Sequence, residues 1–378
     1  MCVVLWYRVN WEVQQLQFSE ALYNSDPWSK EDGFSIGSLH LLKTKGQGWT
    51  IFNSTSTSPL FDNRGYQCDW TSYKRAASDN DNDDDKRTTT RHADICLHAG
   101  QDVVSDSIKV RHTWPDCLAV SMQYDRALQV VSKGIDGQQK QRSPFFHLEI
   151  GANIGACVVD LLLSNDDVHI IAFEPYPKNA FALTSTLLRN SALHRRVTVF
   201  PVALGRRFEE ELQMALEQPT NYGSARVYPN TTTTTTTTML RQQQQDKTST
   251  VSDEIVTIPT ERLDNLIAVE SPTTIVSAKL DTQGSECHIL DGMKGLLSNI
   301  SRLSIELEQE TLKQFDDCSR ELLLDRLRRA NMDIFRYRGY KRLVPLPERE
   351  MDMMVVAVRS SVDETVAMRS DKTKTVGS

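Results

Sequence analysis

The chain has 378 residues, 39% apolar and 25% charged, enough to bury a substantial core in one large domain with additions or in two domains. A net charge of −7 argues against general nucleic-acid binding, which needs a basic surface to neutralise phosphates. No stretch reaches the roughly eighteen apolar residues of a membrane span, and the opening apolar run stops at Tyr7 and Arg8, too early for a secretory leader.

Cys2, Cys68, Cys96, Cys117, Cys157, Cys287 and Cys318 are scattered, odd in number, and form no C-x-x-C pair. They predict neither a zinc site nor a disulfide framework, and point to a reducing compartment, the cytoplasm by default. N-x-[ST] triplets at Asn53, Asn230 and Asn299 carry little weight without a secretory leader.

Residues 1–90 form an N-terminal variable region with no clear period, closing on the acidic linker "SDNDNDDDKRTTTR". Beyond it strands and helices alternate. "FFHLEI" (145–150) predicts a strand and 153–164 a helix. "VHIIAFE" (168–174) is a strand, and 177–190 is a helix opened by Pro177, with Ala180, Phe181, Leu187 and Leu188 on its apolar face. "VTVFPVAL" (197–204) is a strand. A low-complexity threonine/glutamine insertion fills 230–253. "TTIVSAKLD" (273–281) is a strand, 284–298 a helix, "RLSIELE" (302–308) a strand and 318–330 a helix. "DIFRYR" and "MMVVAV" end the pattern as two strands with no helix between them, and 361–378 is a polar tail.

Alternation of this kind predicts an α/β fold: a Rossmann-like, doubly wound sheet of about seven strands with the last strand antiparallel. Ligands of such sheets bind at the carboxyl ends of the strands, where the strand order reverses.

Those ends are rich in acids. Glu149 stands near the end of the first strand, before a turn carrying Gly151, Asn153 and Gly155. Glycine permits the sharp turn and close approach of a ligand, and the next helix offers free N–H groups. The glycines are spaced neither as in dinucleotide binders nor as in a phosphate loop. Glu174 ends the second strand, where an acid either accepts hydrogen bonds from the ribose of an adenosine ligand or caps the following helix. Ala203 in "VALG" offers a small apolar group that either packs on a flat base or belongs to the core. Asp281, Gln283 and Glu286 cluster in "KLDTQGSE", and Glu306 lies in "SIELE". A purely structural sheet has no need for acids along one rim.

"LEIGANIG", "AFEPYPKNAFAL", "VALG" and "KLDTQGSECHILDGM", in this order and spacing, resemble the FkbM family of S-adenosylmethionine-dependent methyltransferases. The resemblance runs from about residue 102 to 358 without the insertion. It implies a class I methyltransferase fold over 91–360 and S-adenosyl-L-methionine as cofactor. Glu149, Gly151, Asn153 and Gly155 would then surround the methionine part, with Glu149 standing where the family usually has Asp, and Glu174 would hold the ribose. Asn221 and Gly223 in "TNYGSARV" would form part of the site wall.

Transfer of a methyl group to an alcohol needs alignment and a group that draws off the hydroxyl proton. Asp281 is the candidate, as base or as holder of a divalent metal; its alternative is to fix the following turn. Gln283, Glu286, Glu306 and Asn221 are second-rank candidates near the acceptor. Trp114 either roofs the cofactor or packs in the core. The resemblance, rather than the residues themselves, implies O-methylation of a hydroxyl, and the expected acceptor is a small molecule or glycan. The alternatives are a non-catalytic S-adenosylmethionine-binding scaffold and a nicotinamide-dependent oxidoreductase. The glycine spacing and the acid beside the turn do not suit the last of these.

Overall fold

The computed structural model describes residues 33–36, 39–42, 49–75, 91–134, 145–207, 210–218, 221–228, 255–269, 275–313, 315, 317–338, 342–346 and 354–359. The threonine/glutamine insertion, the polar tail and nearly all of the acidic linker lie outside these residues. The described strands are β1 (Gly33–Ile36), β2 (Leu39–Leu42), β3 (Cys68–Lys74), β4 (His92–His98), β5 (Phe145–Ile150), β6 (Val168–Phe173), β7 (Val197–Phe200), β8 (Ala203–Leu204), β9 (Glu210–Gln218), β10 (Asn221–Tyr228), β11 (Val256–Glu261), β12 (Ile267–Val269), β13 (Ile275–Leu280), β14 (Ile300–Glu306), β15 (Met332–Arg338), β16 (Arg342–Pro345) and β17 (Met354–Arg359). The longer helices are α1 (Val103–Arg111), α2 (Asp116–Gly134), α3 (Ala156–Ser164), α4 (Pro177–Arg189), α5 (Glu286–Gly292) and α6 (Arg320–Arg329).

The central sheet runs in the order β16-β15-β17-β14-β13-β5-β6-β7. β7, β6, β5, β13 and β14 are parallel, and β17 inserts antiparallel between β14 and β15. This is the expected mixed, doubly wound sheet, with short β16 added on one edge. The inner strands read as continuous apolar runs because helices cover both faces, so alternation with polar residues is lost. In β5, all residues from Phe146 to Ile150 are buried.

Parallel register lines up the carboxyl ends. Leu280 pairs with Ile150 and Ile305, Ile150 with Phe173, and Phe173 with Phe200. The next residue in three of these strands is an acid: Asp281, Glu306 and Glu174. The strand order reverses on either side of β5, so its end opens into the crevice between β6 and β13.

The predicted strand 197–204 is two strands, broken at Pro201, which has no N–H to donate. β8 turns out of the central sheet into a second one, of order β10-β9-β11-β8. It roofs the rim with Met214, Ala225 and Val227, which pack in one cluster with Leu216. The sequence reading found no strands at 210–228 or 256–261. Its 284–298 helix is α5 followed by a separate turn at Lys294–Leu297.

The expected boundary near residue 90 falls inside a hairpin, since β3 pairs antiparallel with β4 across it. β4 and the preceding loop pack on α4: Thr186 Oγ1 accepts from Cys96 N at 2.9 Å and Thr184 Oγ1 from Leu60 N at 3.0 Å. α4 is therefore buried on both sides, including its polar residues Thr184, Ser185 and Thr186.

The cysteine expectation is corrected. Disulfides join Cys68 to Cys96, Cys117 to Cys157 and Cys287 to Cys318. Their partners lie 28, 40 and 31 residues apart in sequence, and only folding brings them together. The argument for a reducing, cytoplasmic location from unpaired thiols therefore falls. Among the described residues no helix is long and apolar enough to cross a membrane.

Candidate active site

A cavity of about 460 Å³ opens at the carboxyl end of β5, a volume suited to a cofactor-sized molecule. Two strand-to-helix turns form its floor. In the first, Gly151, Asn153 and Gly155 all have positive φ. Gly151 is indispensable, because a Cβ there would lie 1.8 Å from the carbonyl oxygen of Asp281. In the second turn Gln283 and Gly284 take positive φ. Asn153 and Gln283 bear the strain that a side chain suffers in this conformation, a cost of about 1–3 kcal/mol that tends to collect at functional sites.

Glu174 binds the first turn from β6. Its Oε2 accepts from Asn153 N at 2.7 Å and its Oε1 from Tyr176 N at 2.9 Å, just before α4. Glu174 thus organises the turn and the helix start, and it also lines the cavity. Burial pushes its carboxyl up to about 7, against the backbone donors that favour the charged form.

Glu149 also lines the cavity and is 1% exposed. Its Oε2 lies 2.9 Å from His147 Nε2 and its Oε1 3.3 Å from Lys279 Nζ. Glu149 and Lys279 are cross-strand partners in the β5–β13 register. Lys279 Nζ also lies 3.1 Å from Asp281 Oδ2. Burial alone would lower the lysine, but Asp281 and Glu149 raise it, so it is a fixed cation.

Burial pushes Asp281 up, and the Lys279 charge together with hydrogen bonds from Glu306, Lys279 and Gln283 more than reverses this, holding it below the usual carboxylate range. Glu306 goes the other way: burial first and the Asp281 charge second push it up to about 10. Gln283 Nε2 donates to both, at 3.0 Å to Asp281 Oδ1 and 2.9 Å to Glu306 Oε2. Asp281 therefore carries the charge and Glu306 the proton. Environments that push two carboxyl groups apart in this way mark acid–base assignments.

Asn221 and Gly223 reach the cavity wall through a bulge that breaks the β9–β10 register between Asn221 and Ala225. Bulges commonly re-aim side chains beside active sites. Ala203 lines the same wall, and Trp114 the side towards α2. Two of the expected residues lie elsewhere. Gly155 packs against α4, where a Cβ would lie 2.3 Å from Leu183 Cδ1. Glu286 is 1% exposed and fastens the second turn, its Oε1 accepting from Thr282 N at 2.8 Å and Thr282 Oγ1 at 3.0 Å.

Lys279 and Asp116 were not singled out in the sequence. Asp116 begins α2, lines the cavity, and is raised by burial, with Lys279 opposing and the Asp281 charge adding. A lysine inside an otherwise apolar strand, two positions before an acid, was the signal for Lys279. Among the described residues, five carboxyl groups (Asp116, Glu149, Glu174, Asp281 and Glu306) thus line the cavity against one cation, Lys279. Such a lining suits a ligand that carries positive charge and hydroxyl groups. Among the described residues no group of three or more His, Cys, Asp or Glu side chains is arranged to hold a metal ion, and Lys279 supplies the cation beside Asp281.

The strand order, the reversed β17 and the cavity at the turning point define a Rossmann-like fold of the class I methyltransferase type. The model of the methyltransferase FkbM domain matches residues 149–341, just over half of the chain, and the chain belongs to that family.

Solved structures similar to the chain include methyltransferase FkbM from Methylobacillus flagellatus KT, 16% identical, with a TM-score of 0.33. That match covers 57% of this chain and 43% of the other, so the chain spans less than half of its length. A SAM-dependent O-methyltransferase from Thermotoga maritima is 10% identical over 72% of this chain and 76% of its own, at a TM-score of 0.31. A precorrin-6y C5,15-methyltransferase from Geobacter metallireducens GS-15 is 11% identical over 57% and 81%, at 0.27. No curated protein matches the chain.

Proposed function

We propose that this chain transfers a methyl group from S-adenosylmethionine to a hydroxyl group of a small molecule or glycan, with Asp281 receiving the hydroxyl proton. The observation that carries this reading is the asymmetric pair at the cavity floor, Asp281 charged and Glu306 protonated, within a chain of the FkbM methyltransferase family.

When bound, S-adenosylmethionine supplies a methyl group already activated on a sulfonium cation. The residues that would hold it are Glu174 at the ribose, with Glu149, Gly151 and Asn153 around the methionine part and Ala203 against the base. The carboxyl-rich lining matches the cation in sign. The protein's remaining task is alignment.

Asp281 can serve as acceptor because Lys279 and the hydrogen bonds from Glu306 and Gln283 keep it ionised. A carboxylate this weakly basic orients the acceptor hydroxyl by accepting its hydrogen, and takes the proton only as the new O–C bond forms. Glu306, protonated, hydrogen-bonds to the Asp281 carboxylate, and Gln283 donates to both carboxyl groups, holding them at fixed separation. Asp116 adds a further acceptor for hydroxyl groups, and its charge disfavours anionic acceptors.

The test pairs binding with turnover. Titration calorimetry should detect S-adenosylmethionine and not a nicotinamide dinucleotide. Isotopically labelled donor with pooled hydroxyl acceptors should give labelled ether, and Asp281→Asn should lower that turnover about 10²–10⁴-fold while keeping cofactor binding. Full turnover by the variant rejects the role of Asp281. Binding without turnover on any acceptor supports the scaffold alternative, and failure to bind rejects the whole reading.

A further inference from the structure

We propose that Asn53 is the attachment site of an N-linked glycan, and that the chain accordingly matures in an oxidising compartment that glycosylates proteins. This inference is independent of methyl transfer. It rests on two observations that meet only in the folded structure.

The first is the cysteine pairing. All six described cysteines form disulfides, joining β3 to β4, α2 to α3, and α5 to the segment before α6. Thiols of proteins in a reducing compartment are kept reduced, whereas structural disulfides persist where N-glycosylation also occurs. The triplets Asn53-Ser54-Thr55, Asn230-Thr231-Thr232 and Asn299-Ile300-Ser301 carry little weight in the sequence for want of a secretory leader, and the disulfides, as an independent mark of such a compartment, restore weight to them.

The second observation separates the triplets. Ser54 and Thr55 form an exposed turn, and Asn53, half-buried, stands immediately before it. Asn53 Oδ1 accepts from Thr55 N at 2.9 Å and from Thr55 Oγ1 at 2.7 Å, and among the described residues no hydrogen bond holds its Nδ2 amide. Behind it the backbone is anchored. Phe52 exchanges both backbone hydrogen bonds with Val199 on β7, at 3.0 and 2.8 Å, and Asn53 O lies 2.7 Å from His194 Nε2. A bulky group on Nδ2 thus extends into solvent without disturbing the core. It would also stand beside the outer edge of β7, which among the described residues pairs only through this bridge to Phe52. Steric cover of an open strand edge suppresses edge-to-edge association.

Asn299 is a poorer site. Its neighbour Ile300 is fully buried and begins β14, so the triplet runs directly into the central sheet. Asn230 lies outside the described residues.

The transfer is a substitution at sugar carbon. Asn53 Nδ2 forms a bond to C1 of an oligosaccharide carried on a polyprenyl pyrophosphate. The C1–O bond to pyrophosphate breaks, the lipid pyrophosphate leaves, and the amide gives one proton to a base of the transferring enzyme. No oxidant or reductant enters this balance.

The experiment uses the full chain isolated, unreduced and thiol-blocked, from the cells that naturally make it. Peptide maps are taken before and after treatment with peptide N-glycosidase in heavy-oxygen water. The expected result is the Asn53 peptide recovered only after treatment, as Asp bearing heavy oxygen, in protein with three disulfides. Asn53→Gln should remove the mass of one glycan, and Asn299→Gln should change nothing. Recovery of unmodified Asn53 from disulfide-bonded protein overturns the proposal. Free thiols at Cys68, Cys96, Cys117, Cys157, Cys287 and Cys318 overturn it as well, by removing its premise.

Discussion

The ammonium group of Lys279 lies 3.1 Å from the carboxylate of Asp281, at the end of β13 where the cavity begins. The same nitrogen reaches Glu149 on the neighbouring strand at 3.3 Å, so one cation bridges two acids from different strands.

Lys279→Met removes that cation and leaves Glu149 and Asp281 buried without it. Breaking a buried pair from one side costs about 3–5 kcal/mol, which denaturant unfolding will read directly. Asp281 should then titrate higher, moving the acid limb of the methyl-transfer pH profile upwards. Lys279→Arg should keep the profile near its original place. An unchanged profile in Lys279→Met would show that the lysine does not set the charge of Asp281.

Gly151→Ala should be among the most damaging small substitutions in the chain. The added methyl would meet the Asp281 carbonyl oxygen at 1.8 Å, on a backbone whose φ of 84° already strains any side chain. Displacement of the two turns from each other should reduce S-adenosylmethionine affinity by about tenfold or more, each factor of ten corresponding to about 1.4 kcal/mol. Equilibrium binding measured beside thermal unfolding will separate loss of the site from loss of the fold.

Glu306 predicts a pH dependence of stability. Its carboxyl is raised to about 10 in the folded chain, from an ordinary value of 4.5. The folded state thus holds a proton that the unfolded state has released. Stability from this source is complete below the ordinary value and is lost as pH rises through the folded one. Glu174 and Glu286, raised to about 7, act in the same direction at lower pH, where His98 and His169, lowered to about 4, oppose them. The clean window is therefore from about pH 7 to about pH 9.5, where unfolding free energy should fall by up to about 1.4 kcal/mol per unit. Denaturant curves across that window should flatten in Glu306→Gln.

The Cys117–Cys157 disulfide ties the first turn of α2 to the first turn of α3, and Cys157 lines the cavity. Replacing both by Ser should cost about 4 kcal/mol on the chain-entropy account of a loop this long. Replacing Cys287 and Cys318 should cost a similar amount but leave cofactor affinity unchanged, because that bridge lies away from the cavity. Equal loss of affinity in both double variants would mean that the first bridge has no special place at the site.

The alternation of strands and helices was legible because parallel inner strands are short apolar runs and the helices between them keep their period. The acids at the strand ends were legible for the same reason, since each strand's last residue could be found. Lys279 was harder to see, because its partners come from register: Glu149 faces it only once β5 and β13 lie side by side. β9 and β10 were missed because "EELQMALEQ" carries charged residues at no strict alternation and the hairpin borders the insertion. The disulfides were invisible because cysteines 28 to 40 residues apart leave no local spacing to read. Thr184 and Thr186 lie off the apolar face predicted for α4, and only the packing of β4 and of the loop at Leu60 shows them as buried acceptors.

The placement of β3, β4 and α2 bears on where this molecule can be cut. A clone trimmed to residues 149–341, the span by which the family is recognised, would discard the hairpin that covers α4 and the helix that walls the cavity. It would also strip β17 from between β14 and β15, and orphan Cys157. The shortest heritable unit of this enzyme family and the shortest stretch able to stand alone in water are, in this chain, different lengths.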